Sequence, residues 1–304
     1  MLAVIVPYYK KKFFSETLKS LEAQTDKRFN VYIGNDASPE DPEDLINEIL
    51  KNTHYKYFPY KENLGGKNLA LQWERVINEA KLEEWIMILG DDDILENNVV
   101  EIFYKNLKKI QENKISLVKF SQYLIDENGS QTRSPTHMEN IVSSKDFLVK
   151  KISKQFPNSL SENIFSKKIY QKYRFKKFPL AWHSDDLAIL EFSDLKDFLF
   201  IDDAKVGVRI SADSISGMDN STRDKQLATY LFCEHIIKNY AQIFPENFIE
   251  LLLKKYREII WRNGFDINLN FSKIYINQRN FFRAIYAIKI KYDLQKRIKK
   301  INKL

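Results

Sequence analysis

The 304-residue chain holds one cysteine, Cys233, and four histidines. A single thiol excludes an intramolecular disulfide framework and a cysteine zinc cluster, and it suits a reducing compartment. Cys233 itself reads as a small buried helix residue. No two histidines stand at the His-x-x-x-His spacing of a zinc hydrolase. Long apolar runs are also missing: no segment reaches the ~18 uninterrupted apolar residues that a spanning helix needs. The opening MLAVIVPYYKKK has no basic region ahead of its apolar stretch and breaks at Pro7, too early for a secretory leader, so it reads as a first strand. No internal repeat of solenoid period is present. What the chain does have is 44% hydrophobic and 13% aromatic content, enough for one large core or a core with a smaller appendage.

Four short β-branched or aromatic runs, at 2–6, 30–34, 55–58 and 85–89, are separated by amphipathic stretches. Phe14, Leu18 and Leu21 recur at helical spacing after the first run, and Leu45, Ile46, Ile49 and Leu50 after the second. A third helix fits about 67–80. The alternation predicts an α/β fold with parallel strands and crossover helices, whose ligand crevice lies at the strand carboxyl ends. Pro7 to Tyr9, Asn35 to Ser38 and Asp91 to Asp93 each follow a strand and are expected to meet there. Past 97 the pattern becomes mixed: a strand near 115–121, a turn at 127–129, an irregular segment at 157–183 and two short strands within 198–210. From about 221 the chain is largely helical. The expected division is 1–212 for the sheet domain and 213–304 for a helical region ending in a basic helix.

Three adjacent carboxylates, Asp91, Asp92 and Asp93, end the fourth run. Like charges ~4 Å apart repel by roughly 1 kcal/mol even in water, so such a run calls for a cation, hydration or protonation. A divalent metal carrying a phosphate ligand would supply the cation; a hydrated acidic turn capping the next helix is the other reading. Asp36, flanked by Asn35 and Ser38, can accept an N–H from an imide or can merely shape its loop. Pro7 and Tyr8 offer backbone groups and an aromatic face, although a tyrosine here also suits the core. Asn63, Gly65, Gly66 and Lys67 lead into a helix whose N-terminus favours anions, with Lys67 adding a point charge. In SDDLAIL, Ser184 can cap a helix that opens with Asp185 and Asp186.

Taken in order, VIVPYYK, YIGNDASPED, NLGGKNLA, ILGDDD and SDDLAIL resemble the inverting family 2 glycosyltransferases of the GT-A type fold, over roughly residues 1–210. The resemblance implies a Rossmann-like nucleotide-sugar-binding sheet and Mn²⁺ or Mg²⁺ as cofactor. It implies a nucleotide-sugar donor, of the UDP type, and a saccharide or lipid-linked acceptor of the kind used in bacterial surface polysaccharides. By the same resemblance Asp36, Pro7 and Tyr8 hold the nucleoside, Asn63, Lys67 and Arg209 face the diphosphate, and Asp92 holds the metal with Asp93 beside it. The family's metal motif, Asp-x-Asp-Asp, falls here on Gly90, Asp91, Asp92 and Asp93, so its first carboxylate is missing; Asp91 is left near the ribose or a metal-bound water, and Asp93 either supports the metal ligand from behind or caps the next helix. Asp186 takes the place of the catalytic base. Asp185, Trp182 and His183 take places beside the acceptor, where a core position for Trp182 is equally compatible with the sequence.

Two other classes fit less well. A nucleotidyltransferase usually carries a glycine-rich loop after its first strand, where this chain has PYYKKKFF. A nucleic-acid-binding protein would suit the net charge of +7, but the first two hundred residues are not basic overall, and no nucleic-acid partner is expected. The basic excess lies at the end, where Lys289, Lys291, Lys296, Arg297, Lys299, Lys300 and Lys303 face one acid, Asp293. With Ile288, Tyr292, Ile298 and Ile301 as an apolar stripe, this helix suits an anionic membrane surface, and a solvated terminal helix is the plainer alternative. The expected location is cytoplasmic, peripheral at the inner face of the membrane.

Overall fold

The computed structural model describes residues 1–212, 214, 217, 222–277 and 281–301. They form two compact units, Met1–Lys177 with Ser184–Met218, and Phe178–His183 with Asp219–Leu304.

The first unit runs β1 (Leu2–Tyr8), α1 (Phe14–Glu22), β2 (Phe29–Asp36), α2 (Glu43–Ile49), β3 (Tyr55–Tyr60), α3 (Leu69–Ile77) and β4 (Trp85–Ile88). It continues through β5 (Ile94–Leu95), α4 (Val99–Lys105), α5 (Leu107–Glu112), β6 (Leu117–Ile125), β7 (Gln131–Arg133), β8 (Ile141–Ser143) and α6 (Ser144–Ile152). Then come β9 (Asn163–Ser166), α7 (Lys167–Tyr173), α8 (Ser184–Phe192) and β10 (Asp197–Arg209). One sheet has the order β3-β2-β1-β4-β9-β6-β10-β5, with β7 on β6 and β8 on β10. The first four strands are parallel, as their alternation with helices requires, and β9 runs antiparallel to both β4 and β6.

Side chains alternate across a strand, so a strand buried on both faces reads as continuously apolar. In β1, Leu2, Val4, Val6 and Tyr8 join a core with Phe14, Leu18, Leu21, Ile46, Val99 and Phe103. Ala3 and Ile5, on the opposite face, are equally buried. The register pairs Tyr8 with Asn35, and Asn35 with Pro59, so the carboxyl ends of β1, β2 and β3 are level.

Two expectations change. The two short strands within 198–210 are one long strand, β10, whose pairing with β6 shifts between Ile201 and Lys205. Asp202 and Asp203 sit in that irregularity, and two adjacent acids resemble a turn when neighbours cannot be seen. The segment 157–183 is not irregular throughout, since it contributes β9 and α7.

The second unit comprises α9 (Arg223–Tyr240), α10 (Glu246–Asn263), α11 (Phe271–Asn277) and α12 (Phe281–Ile301), with Phe178–His183 packed on α9. Thr222 caps α9 by accepting the Lys225 N–H, and Gly264, at φ 71°, closes α10 in the left-handed conformation that glycine adopts without penalty. Cys233 is buried on α9, as its sequence setting implies. Among the described residues no helix is long and apolar enough to cross a membrane.

Candidate active site

The carboxylate turn is stitched into the strand ends from several directions. Asp91 Oδ2 accepts the backbone N–H groups of Tyr9 (2.7 Å) and Lys10 (2.8 Å), tying the end of β4 to the end of β1. Ser38 donates to the Tyr9 carbonyl at 2.7 Å, which brings in the end of β2. Asp93 is buried: Oδ1 accepts the Arg209 N–H at 2.8 Å, Oδ2 accepts the Ser161 hydroxyl, and its carbonyl accepts the Thr17 hydroxyl at 2.8 Å. Burial pushes its carboxyl up to about 6, against the lowering hydrogen bonds from Ser161 and Arg209. Asp92 lies above Gly90, where an added Cβ would stand 3.0 Å from Asp92 Oδ1 and 2.9 Å from Asp93 Oδ2. A larger residue at 90 would therefore crowd two carboxylates. Burial first, then the charges of Asp93 and Asp91, push Asp92 up to about 8.

A divalent cation fits this donor set in one specific way. Among the described residues no group of three or more His, Cys, Asp or Glu side chains is arranged to hold a metal by itself. Asp92 supplies a carboxylate whose proton is held by burial first and by neighbouring negative charge second, and a cation would favour its release. Magnesium and manganese sites of this kind use one or two carboxylates and take further oxygens from substrate phosphates. Asp93, with both oxygens already accepting hydrogen bonds, orients the turn from behind.

Arg209 belongs to the same scaffold. Its Nε donates to the Asp92 carbonyl (3.0 Å), Nη1 to the Asp126 carbonyl (2.7 Å) and Nη2 to Glu16 (2.6 Å), and the guanidinium lies 4.2 Å over the Phe13 ring. It is 2% exposed. The diphosphate contact expected from sequence meets a side chain enclosed by the fold, because its three nitrogens are spent on the Asp92 carbonyl, the Asp126 carbonyl and Glu16.

Asp36 is similarly committed. Oδ1 accepts the Leu64 N–H (2.8 Å) and the Arg75 guanidinium, and Oδ2 accepts the Gly65 N–H (2.7 Å). A Cβ at Gly65 would come within 2.6 Å of Asp36 Oδ2, so glycine is required for this approach. Asn63 accepts the Gly66 N–H and closes the turn, while Lys67 pairs with Glu62 at the exposed rim. Arg75 also donates to the Glu62 carbonyl at 3.0 Å and covers the Tyr60 ring at 3.7 Å. Tyr8, by contrast, is in the core: its ring packs 4.6 Å from Phe14 and its hydroxyl donates to the Glu40 carbonyl. Pro7 is half-buried, and the exposed aromatic at this strand end is Tyr9.

The second carboxylate pair opens α8. Ser184 does not cap it as expected; it is the first helical residue and donates to the Lys176 carbonyl at 2.6 Å. Asp186 is 3% exposed, accepts Asn158 Nδ2 at 3.0 Å and pairs with Lys151 at 3.5 Å. Asp185 is half-buried and accepts the same amide at 3.3 Å. Burial and then the charge of Asp186 push Asp185 up to about 7. Trp182 and His183 belong to the helical unit: Lys225 lies 4.1 Å over the Trp182 ring, and His183 stacks on Phe232 at 4.6 Å and meets the Thr229 hydroxyl at 3.1 Å.

Four positions escaped sequence reading: Arg75, Lys151, Asn158 and Ser161. Arg75 lies on α3 beside Gln72 and Glu74, where a charged residue reads as part of an ordinary solvated helix face. The other three lie in or beside a segment without periodicity, and only tertiary contact reveals them.

Residues 3–183, more than half the chain, match the family described as Glycosyl transferase family 2. A Rickettsia bellii protein named as an uncharacterized glycosyltransferase is 30% identical over 139 residues, 44% of this chain and 18% of its own length. The glycosyltransferase GlyG of Streptococcus pneumoniae is 24% identical over 129 residues, 42% of this chain and 41% of its own. The match thus spans about a fifth of the Rickettsia relative and under half of the pneumococcal one. Among solved structures, S. aureus TarS 1-349 in complex with UDP-GlcNAc superposes with a TM-score of 0.64 at 16% identity, covering 99% of this chain and 91% of that TarS 1-349 chain. GalNAc-T7 with UDP, GalNAc and Mn²⁺ superposes at 0.53 and 11% identity, covering 86% and 56%. These likenesses share the mixed α/β sheet with flanking helices of the GT-A type. With that fold, and with a family match over most of the sheet unit, the chain belongs to glycosyl transferase family 2.

Proposed function

We propose that the protein is a metal-dependent inverting glycosyltransferase that moves a sugar from a UDP sugar to a saccharide or lipid-linked saccharide acceptor in surface polysaccharide synthesis. The carrying observation is the hydrogen-bonded convergence of Asp91, the 35–38 loop and the Asp36-bound 63–67 loop at the carboxyl ends of β1, β2 and β4. That edge is where open α/β sheets bind nucleotides. The UDP complexes of TarS and GalNAc-T7 support uridine as the nucleoside.

In this reading Asp36 shapes the nucleoside pocket through Leu64, Gly65 and Arg75, with Pro7 at its floor and Tyr8 supporting that strand end from within the core. Asn63 and Lys67 address the diphosphate, and Asp91 stands beside the ribose. Asp92 holds Mn²⁺ or Mg²⁺, with Asp93 behind it. A bound divalent ion neutralises charge on the departing diphosphate. Asp186 takes the proton from the acceptor hydroxyl as that oxygen bonds to the anomeric carbon and the bond to UDP breaks on the opposite face. Asp185 borders the acceptor. Incubation with Mn²⁺ and a panel of nucleotide sugars, read as diphosphate release, tests this; no release from any donor, together with no affinity for UDP, overturns it.

A peripheral position on an anionic membrane is supported by α12. Ile285, Ile288 and Tyr292, 70%, 64% and 66% exposed, fall on one face with Lys289, Lys296 and Lys299, while Ala284, Ala287 and Leu294 are buried. Ile298 and Ile301, expected in the exposed stripe, are partly buried, and Lys303 lies outside the described residues. Apolar insertion flanked by lysines suits the boundary of an anionic bilayer. Sedimentation with anionic but not neutral vesicles, lost in the K289E/K296E/K299E variant, is expected; equal recovery of both proteins in the supernatant refutes it.

A further inference from the structure

Beneath the carboxylate pair lies a buried polar bracket. Lys119 and Glu162 form an ion pair with essentially no exposure on either side chain. Glu162 also accepts the Ser159 N–H at 2.8 Å and the Ser159 hydroxyl, which pins the 158–162 segment. The two ends of this segment reach different parts of the site. Ser161 donates to Asp93 and accepts the Gly90 N–H at 3.0 Å, holding the first carboxylate turn. Asn158 reaches the second.

The orientation of Asn158 is dictated by its partners. Lys119 Nζ approaches Asn158 Oδ1 at 2.7 Å, and an ammonium can only donate, so the amide oxygen must face it. The amide NH₂ is thereby turned toward Asp186 (3.0 Å) and Asp185 (3.3 Å), which accept. Because Glu162 already neutralises Lys119, the amide brings donors to the pair without adding net charge beside it. Among the described residues, the groups facing the pair include Lys151 from α6, Lys119 from β6, and Asn158 and Glu162 from the connecting segment.

Resting on the transferase reading above, we propose that Asn158 is a positioning residue: locked by Lys119, its amide holds the Asp185 and Asp186 carboxylates ionised and in one orientation for proton removal. N–H donors to a carboxylate favour its charged form. Losing them should move the titration of the pair upward by about one to two pH units.

Two variants separate this role from simple packing. Asn158→Leu keeps the volume and removes the donors, whereas Asn158→Asp keeps the oxygen toward Lys119 and adds a third carboxylate. The readout is a carboxyl ¹³C NMR titration of aspartate-labelled, metal-free full-length protein, with the pair assigned through Asp185→Asn and Asp186→Asn. The expected order of titration midpoints is native, then Asn158→Leu, then Asn158→Asp, with UDP affinity retained. The acid limb of Mn²⁺-dependent hydrolysis of the donor turned over in the nucleotide-sugar panel should shift in the same order. Unchanged aspartate titration in both variants, or failure of both to fold, overturns the proposal. Absence of hydrolysis by the native protein counts against the transferase reading alone, since the titration still decides the role of Asn158.

Discussion

Replacing Asp92 with Asn should stabilise the metal-free protein at alkaline pH while removing its response to metal. Asp92 Oδ1 and Asp93 Oδ2 lie 3.0 and 2.9 Å from one point, the Cβ position of residue 90, so at an effective dielectric constant of ~20 and a separation of no more than ~6 Å they repel by roughly 3 kcal/mol. Arg209 offsets part of this, leaving about 1–2 kcal/mol from the charges of the pair, in addition to the larger cost that burial imposes on the ionised Asp92 carboxylate. Asp92 is raised from the ordinary carboxylate range to about 8. The native state therefore binds a proton that the unfolded chain has released, and stability falls as pH rises between about 4 and 8. Asn cannot ionise, so that loss is absent in the variant. In EDTA, thermal melts of the two proteins should coincide below about pH 4, and the variant should melt at least about 2–8 °C higher near pH 8.5. Added Mn²⁺ should raise the native melting temperature and leave the variant unmoved. A variant destabilised equally at both pH values, or a Mn²⁺ response common to both proteins, would refute this electrostatic account.

Asp186→Asn preserves shape but not basicity and should lower transfer by roughly 10²- to 10⁴-fold with donor affinity retained, while Asp185→Asn acts mainly on acceptor binding. Steady-state kinetics on both separates them, and a larger loss in the Asp185 variant would reverse the two roles. Gly65→Ala places a methyl group 2.6 Å from Asp36 Oδ2 and should push the 63–67 loop off that carboxylate, weakening UDP binding several-fold in calorimetry without unfolding the sheet. Unchanged UDP affinity would show that the loop does not shape the nucleotide pocket.

The period and content of the first hundred residues determined a great deal unaided. Unbroken apolar runs such as LAVIV, alternating with helical stretches, require strands covered on both faces, and hence parallel pairing and a crevice at the carboxyl ends. The clustered acids at 91–93 and 185–186 marked themselves, because adjacent like charges are costly without a reason. The sequence could not reveal which of these groups are spent on the fold itself. Arg209 reads as a basic residue at a strand end, but its contacts with Glu16, Asp126, Asp92 and Phe13 span most of the first unit. Tyr8 reads as an aromatic face at a strand end until its register places it in the core. Asn158 and Ser161, in a stretch with no period, gain meaning only when β6, β9 and α8 are brought together. Periodicity records which surface a residue presents to its own element, so local patterns decide the elements. Hydrogen bonds and ion pairs join residues far apart in the chain, and only the folded structure assigns those partners.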